Sequence, residues 1–204
     1  MVIAILSVFG IETTSLAALL AGVGIAIGAA WSGLLANFAA GAFLIILRPY
    51  SVGDFVTAAG VTGDVQEIGV FTTTIHTLDN LRVVVGNSKI LGDNIINYTV
   101  NPCRRVDLKA QLSHEVNPQE AKARLTEKLK QIPNVVTEPE PSVEILEFNL
   151  AGPVLAVRPF CHNKDYWQVY FDTNRVIQEV CATSHYPVPS THQVILHQSL
   201  KESA

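Results

Sequence analysis

From Thr13 to Leu47 the chain carries no charged side chain. The run is about 35 residues long, where a membrane-spanning helix needs about 20. As one straight helix it would reach about 50 Å, well beyond a hydrocarbon core of about 30 Å. The pattern therefore predicts a helix that tilts steeply or breaks. Ser32-Gly33 is the expected break, because glycine weakens a helix interior and Gly/Ser pairs are kink sites. The expectation is a spanning half, Thr13–Ser32, and a second half, Gly33–Leu47, lying along or under the membrane surface. Met1–Phe9 is apolar but too short to span, and without a basic n-region it makes a poor signal peptide. It reads as the tail of an earlier helix joined through Gly10-Ile11-Glu12. The chain is then a fragment needing upstream helices, or one whose true start lies further upstream.

The pattern changes at Arg48-Pro49-Tyr50, since proline cannot continue the helix and the arginine can snorkel to headgroups. Val52–Asn101 is rich in Val, Ile and Thr. Asp54–Ala59, Asp64–Ile68, Thr72–His76 and Leu81–Val85 read as short strands. Gly60, Gly63, Asp79-Asn80 and Gly86-Asn87 read as turns. A small antiparallel barrel or sandwich of four or five strands fits. From Arg104 the order becomes strand, helix, strand, strand, helix, strand. Val106–Leu112 alternates. Asn117 caps a helix begun by Pro118, with Ala121, Leu125, Leu129 and Ile132 on its apolar face. Ser142–Phe148 and Pro153–Phe160 pair as strands. Asp165 to about Thr183 forms a second helix, with Trp167, Tyr170, Phe171 and Ile177 expected to be buried. Val188–His197 is expected as a last strand. The order predicts a ferredoxin-like α+β domain.

Composition sharpens the reading of the first helix. Its spanning half is crowded with Gly and Ala, and small residues four apart let helix backbones approach closely. Gly24 and Gly28 form one ridge; Gly22, Ala26 and Ala30 form another. Two ridges fit a helix with a neighbour on each side, as in a ring of identical helices. Ile25 and Ala29 form a third face, which would then line a central hole and gate it by dewetting. The same spacing also fits a close-packed helix pair with no pore. All 14 Lys and Arg lie at or after Arg48, which marks the cytoplasmic end of the helix. A net charge of −4 argues against nucleic acid as a partner.

These residues carry a resemblance. GVGIAIGAAWSG, LLANFAAGAFLIILRPYSVGD and GNSKILGDNIINYTVNPCRR resemble the small-conductance mechanosensitive channel (MscS) family, from its pore helix to near its C-terminus. The resemblance implies a membrane pore helix, then a small all-β (Sm-like) barrel domain, then a ferredoxin-like α+β domain. Divisions are expected at 1–12 (preceding helix end), 13–48 (kinked pore helix), 49–103 (β domain), 104–187 (α+β domain) and 188–204 (C-terminal strand and tail). It further implies a homoheptamer in the cell inner membrane, multi-pass in the full protein. Its cytoplasmic vestibule would have lateral portals and be closed at its base by C-terminal strands. Membrane lipid tension would open the pore and release ions and small solutes after hypoosmotic shock.

Residue by residue, the resemblance places two gate rings at Ile25 and Ala29. In the family both rings are usually leucine; Ala29 implies a shorter dry section. Trp31 also departs from the usual aliphatic residue. It lies about 200° round the helix from Ala29, facing a neighbour or lipid. Alternatively it swings inward and replaces the missing ring. Gly33 and Gly41 map to the hinges, although Gly41 is also explained by close packing alone. Asn37, the lone polar residue of Gly33–Leu47, is expected from the resemblance to contact the β domain near the loop Gly86-Asn87-Ser88, with Asn87 as its partner, or else to face water. Gly86 stands where the family often has proline, which implies a looser loop.

Other chemistry is sparse. Cys103, Cys161 and Cys181 face a reducing compartment, so disulfides are not expected. Cys161-His162 and Cys181 with His185 lack a CxxC partner for zinc. Gly86-Asn87-Ser88-Lys89 lacks the glycine pattern of a phosphate loop. No nucleophile–base arrangement marks an enzyme, and no cofactor is expected. Two classes remain: a tension-gated channel, and a non-conducting oligomeric membrane scaffold or regulatory vestibule.

Overall fold

The computed structural model describes residues 13–191. The chain divides into two compact units, the first ending at Val100 and the second beginning at Asn101.

In the first unit the charge-free run forms one helix, α1 (Thr13–Leu47). It continues through Ser32-Gly33 without interruption, so the expected break is not a gap in the helix. Ser32 Oγ donates to the Ala29 carbonyl at 2.9 Å, and Asn37 Nδ2 donates to the Gly33 carbonyl at 2.9 Å. Glycine permits a bend, but the bending force must come from outside the helix. Exposure divides α1 instead. Residues 14–36 are almost all exposed; from Asn37 the helix docks, and Ala40, Gly41 and Leu44 are buried. Arg48 ends the helix with a left-handed backbone (φ 47°), its N–H bonded to the Leu44 carbonyl at 3.0 Å, and Pro49 follows.

Five strands follow: β1 (Phe55–Ala58), β2 (Val61–Ile68), β3 (Thr72–Thr77), β4 (Arg82–Gly86) and β5 (Ile95–Asn97), with a short helix α2 (Asn87–Leu91) between the last two. They form one antiparallel sheet in the order β4-β3-β2-β1-β5. Alternation puts Val56, Ala58, Val65, Ile75 and Val85 into a core with Leu44, Tyr50 and Ile90. Gly60 (φ 79°) turns β1 into β2, as its type predicts. Gly63, expected in a turn, lies inside β2 opposite Val56 and Thr77. A side chain there would strike the His76 carbonyl, so this glycine serves close strand approach.

The second unit holds β6 (Arg104–Arg105), β7 (Leu108–Gln111), α3 (Pro118–Leu129), β8 (Ser142–Asn149), β9 (Gly152–Arg158), β10 (Phe160–Cys161) and α4 (Tyr166–Thr183). β7, β9 and β8 make an antiparallel sheet in that order, and β6 pairs with β10. Asn117 Oδ1 accepts from Gln119 N–H at 3.0 Å, capping α3 as its sequence predicts. Ala121, Leu125 and Leu129 pack against Leu155, Val157 and Val180. The buried stripe of α4 differs from expectation in part: Val169, Thr173 and Val180 are buried, and the expected Tyr170 and Ile177 pack half-buried against the cores, but Trp167 is 49% and Phe171 59% exposed. Both sets recur at helical spacing, and the sheet selected the narrower β-branched stripe. Residues 188–191 are irregular; the rest of the expected Val188–His197 strand, like Met1–Phe9, lies outside the described residues.

Gly152 opens β9 with φ 132°, and a Cβ there would collide with the Leu112 carbonyl. Gly152→Ala should therefore destabilise the second unit by about 3 kcal/mol, combining backbone strain and overpacking. A denaturant titration of the detergent-solubilised protein reads this; an unchanged midpoint contradicts it.

Candidate functional site

The exposed part of α1 has the composition of a surface meant to be covered. Ile25 is 74% and Trp31 60% exposed, and Leu19, Leu20, Val23, Ile27, Leu34 and Leu35 are exposed with them. The helix Thr14–Leu47 is long and apolar enough to cross a membrane. Among the described residues, no atom lies within 4 Å of where a Cβ would stand on Gly22, Gly24, Gly28 or Gly33, apart from the helix's own backbone and adjacent residues. Ala26 is likewise exposed. Ile25 and Ala29, one helical turn apart, share a face, and Trp31 lies well away from it.

The docked part of α1 is tightly specified. A Cβ on Gly41 would come within 3.0 Å of the Val70 carbonyl and of Asn87 Nδ2. Phe38 lies against Phe71, with ring centroids 6.0 Å apart. Asn37 Oδ1 accepts from Ser88 N–H at 2.9 Å and from Ser88 Oγ at 3.0 Å. Helix α2 has no side-chain cap of its own at Gly86, so Asn37 caps it from across the unit.

Asn37 thus meets Ser88 rather than Asn87, correcting the expected pair. Asn87 is fully buried and turned the other way. Its Oδ1 accepts from Thr73 Oγ1 at 2.9 Å, and its Nδ2 donates to the Gly69 carbonyl at 2.9 Å. Thr73 Oγ1 lies 3.3 Å from Tyr50 Oη, whose ionisation burial pushes upward. The pairing differs because Asn87 opens a helix, α2, that the turn reading of Gly86-Asn87 missed. Gly86 pairs with Thr72 at the end of β4, so this position is held rather than loose.

Comparison with known proteins follows this geometry. Residues 33–100 match the family described as "Mechanosensitive ion channel, beta-domain". The small-conductance mechanosensitive channel of Edwardsiella ictaluri is 33% identical over 182 residues, covering 89% of this chain and 64% of that protein. An MscS family protein of Synechocystis is 33% identical over 184 residues, covering 90% of this chain and 62% of that protein. The chain belongs to the MscS family. The crystal structure of Helicobacter pylori MscS in its closed state shares the fold, with a TM-score of 0.88 at 24% identity, over 97% of this chain and 78% of that one. The chain thus spans less than two thirds of the length of the two MscS relatives.

Within this MscS chain the remaining candidates separate. Ser88, Thr73, Tyr50 and the Gly69–Phe71 loop complete the dock; the resemblance put Ser88 in the loop near Asn37 without choosing it as the partner, and sequence reasoning named none of the others. Ser88 was detectable as the residue after a candidate site. Thr73 looked like any strand threonine. Cys161 is buried, and burial together with the Asp165 charge pushes its thiol up, as burial does for Cys181. His162 Nδ1 lies 2.7 Å from the Pro102 carbonyl. Among the described residues no three His, Cys, Asp or Glu side chains cluster to hold a metal.

The two asparagines should respond differently to mutation. Asn87→Leu leaves the Gly69 carbonyl without its side-chain donor and Thr73 without one acceptor inside the unit, at about 2–3 kcal/mol. Asn37→Ala frees groups that water reaches, at under about 1 kcal/mol. Thermal unfolding of the two variants side by side checks the order; equal losses would contradict it.

Proposed function

We propose that this chain forms the pore and vestibule of a channel opened by membrane tension. The carrying observation is the exposed, charge-free part of α1, whose close-packing glycines meet nothing else among the described residues. Such a helix is stable only against lipid and further copies of itself. The ridges of Gly22 and Ala26 and of Gly24 and Gly28 would seat neighbouring helices, in a homoheptamer as the resemblance implies. Ile25 and Ala29 would then ring the hole. Water leaves such a narrow apolar ring, and ions cannot cross without water. Tension favours the wider state, the ring wets, and ions and small solutes leave the cell after hypoosmotic shock. The second unit would lie in the cytoplasm below the inner membrane. Gly33 is free to act as a hinge. Gly41 is a packing site on which such a hinge would close. Asn37, capping α2, and Asn87, bracing the loop beneath Gly41, would transmit helix movement to the β domain.

The test is a patch-clamp recording under a suction ramp on liposomes containing the protein. Stepwise currents that begin only above a threshold tension are expected. Silence from a correctly assembled oligomer would point either to a piece that needs its upstream helices or to a non-conducting scaffold; repeating the recording with the upstream sequence restored separates the two, and silence there would overturn the channel reading.

A further inference from the structure

The chain leaves α1 through residues 49–55 and leaves the first unit through residues 97–100, and these two passages are bonded to each other. Tyr98 N–H donates to the Phe55 carbonyl at 3.0 Å, and Phe55 N–H donates to Thr99 Oγ1 at 2.9 Å. The Phe55 and Tyr98 rings lie 5.7 Å apart.

One side chain ties the rest. Asn97 is half-buried and stands opposite Val56 in the β1–β5 pair. Its Nδ2 donates to Asp54 Oδ2 at 2.8 Å and to the Pro49 carbonyl at 3.4 Å. Its Oδ1 accepts from Thr99 N–H at 2.9 Å and from Val100 N–H at 3.2 Å. The same Asp54 oxygen accepts from Ser51 N–H at 2.9 Å. Chemistry fixes the orientation of this amide, since its donor end faces two acceptors and its acceptor end faces two N–H groups. The bond to the carboxylate is charge-assisted, and so among the stronger kind. Asn97 and Asp54 share no residue with the Asn37–Ser88 dock.

We propose that Asn97 is a positioning residue for gating: with Asp54 it clamps the segment just beyond α1 to the segment that leads into the second unit. This rests on the tension-gated reading above. The docked part of α1 is then held at Gly41 and again beyond its C-terminus, roughly 10 Å further along the helix axis. A helix held at one place pivots there when its exposed part is pulled. Held at two, it resists pivoting, and the pull of the lipid acts on the gate and on residues 97–100 together. With the clamp loosened, pivoting takes up part of the movement, so opening needs more tension.

The test compares threshold tension in the protein with its upstream sequence restored and in its N97D, D54N and N97D/D54N variants. Asn97→Asp sets a second carboxylate against Asp54 and removes the donor to Pro49; its threshold should rise beyond the patch-to-patch scatter of the parent. Asp54→Asn keeps an oxygen that accepts from both Ser51 and Asn97, and should gate close to the parent. The double variant faces an amide with a carboxylate again, in reverse, and should bring the threshold back toward the parent value. A residue serving only the fold would lower the melting temperature without moving the threshold of the protein that stays folded. An unmoved threshold in N97D, or a double variant no better than N97D, would overturn the inference. Hydrogen exchange separates that failure from failure of the channel reading. Asn97→Ala should speed exchange at the Thr99 and Val100 amides several-fold whether or not the protein conducts. Parent-like exchange there would remove the clamp itself. Faster exchange in a protein that never conducts under tension would remove the channel reading, and the gating role of Asn97 with it.

Discussion

Replacing Gly41 by alanine should lift the end of α1 off the β domain. The added methyl has nowhere to go, because both atoms it meets are themselves held. The Val70 carbonyl belongs to a loop closed by Gly69 N–H to the Thr72 carbonyl at 2.8 Å and by Asn87 N–H to the Phe71 carbonyl at 3.0 Å. Asn87 Nδ2 is bonded to the Gly69 carbonyl. Neither is the loose end of a flexible side chain, so the helix must move. Movement uncovers Ala40 and Leu44 and strains the Asn37–Ser88 bonds. Overpacking of this kind costs about 1–3 kcal/mol, and the lost burial brings the expectation to the upper end. For a unit of this size that lowers the melting temperature by on the order of 10–20 °C. Gly33→Ala meets open space within the protomer and should leave the dock intact, gaining up to about 1 kcal/mol of helix propensity. Thermal unfolding of both variants in detergent separates them. If Gly41→Ala melts like the parent, α1 does not rest on the Val70 loop.

Ile25→Ser should make the channel open at lower tension or leak at rest. Each copy exchanges an apolar side chain, carrying about 1.5–3 kcal/mol of water-avoiding free energy, for one that water solvates. Every subunit of a ring contributes its own copy, so the closed, dry state loses this support several times over. The second ring gives little cover, since Ala29 offers only a methyl group. The measurement is threshold tension in excised patches, with resting leak as the companion reading. Unchanged gating in Ile25→Ser would move the gate elsewhere, and Trp31→Ala would then be the variant to record.

Much of the architecture was legible because it depends on local patterns. β1, β3 and β4 lie within a residue or so of where alternation put them, and Asn117-Pro118 announced α3. The misses share one physical origin. Gly63 looks like a turn residue, but it is glycine because a neighbouring strand's carbonyl comes too close for a side chain. Trp167 and Phe171 look like core residues because aromatic side chains usually are. A helix with two apolar stripes does not say which one its sheet will take. α2 is one short turn, and Gly86-Asn87 reads equally well as a bend. The dock was half legible: Asn37 stood out as the lone polar residue of Gly33–Leu47, the second half of α1, but its partner depended on where α2 begins.

The sequence alone determined that this protein has a charge-free helix too long for one straight crossing, with glycines spaced for close helix contact. It also determined the order of the longer strands and helices behind that helix, though not α2 or β5. These follow from periodicity and residue type, which act over a few residues at a time. Only the tertiary structure decided that α1 is divided at Asn37 by docking rather than at Ser32-Gly33 by a break. It alone placed Ser88 against Asn37, and buried Asn87 between Thr73 and Gly69 beneath Gly41. Those contacts join residues 14 to 51 apart in the chain, and they depend on backbone separations within a few tenths of an ångström. A linear pattern of polar and apolar residues carries no information at that range.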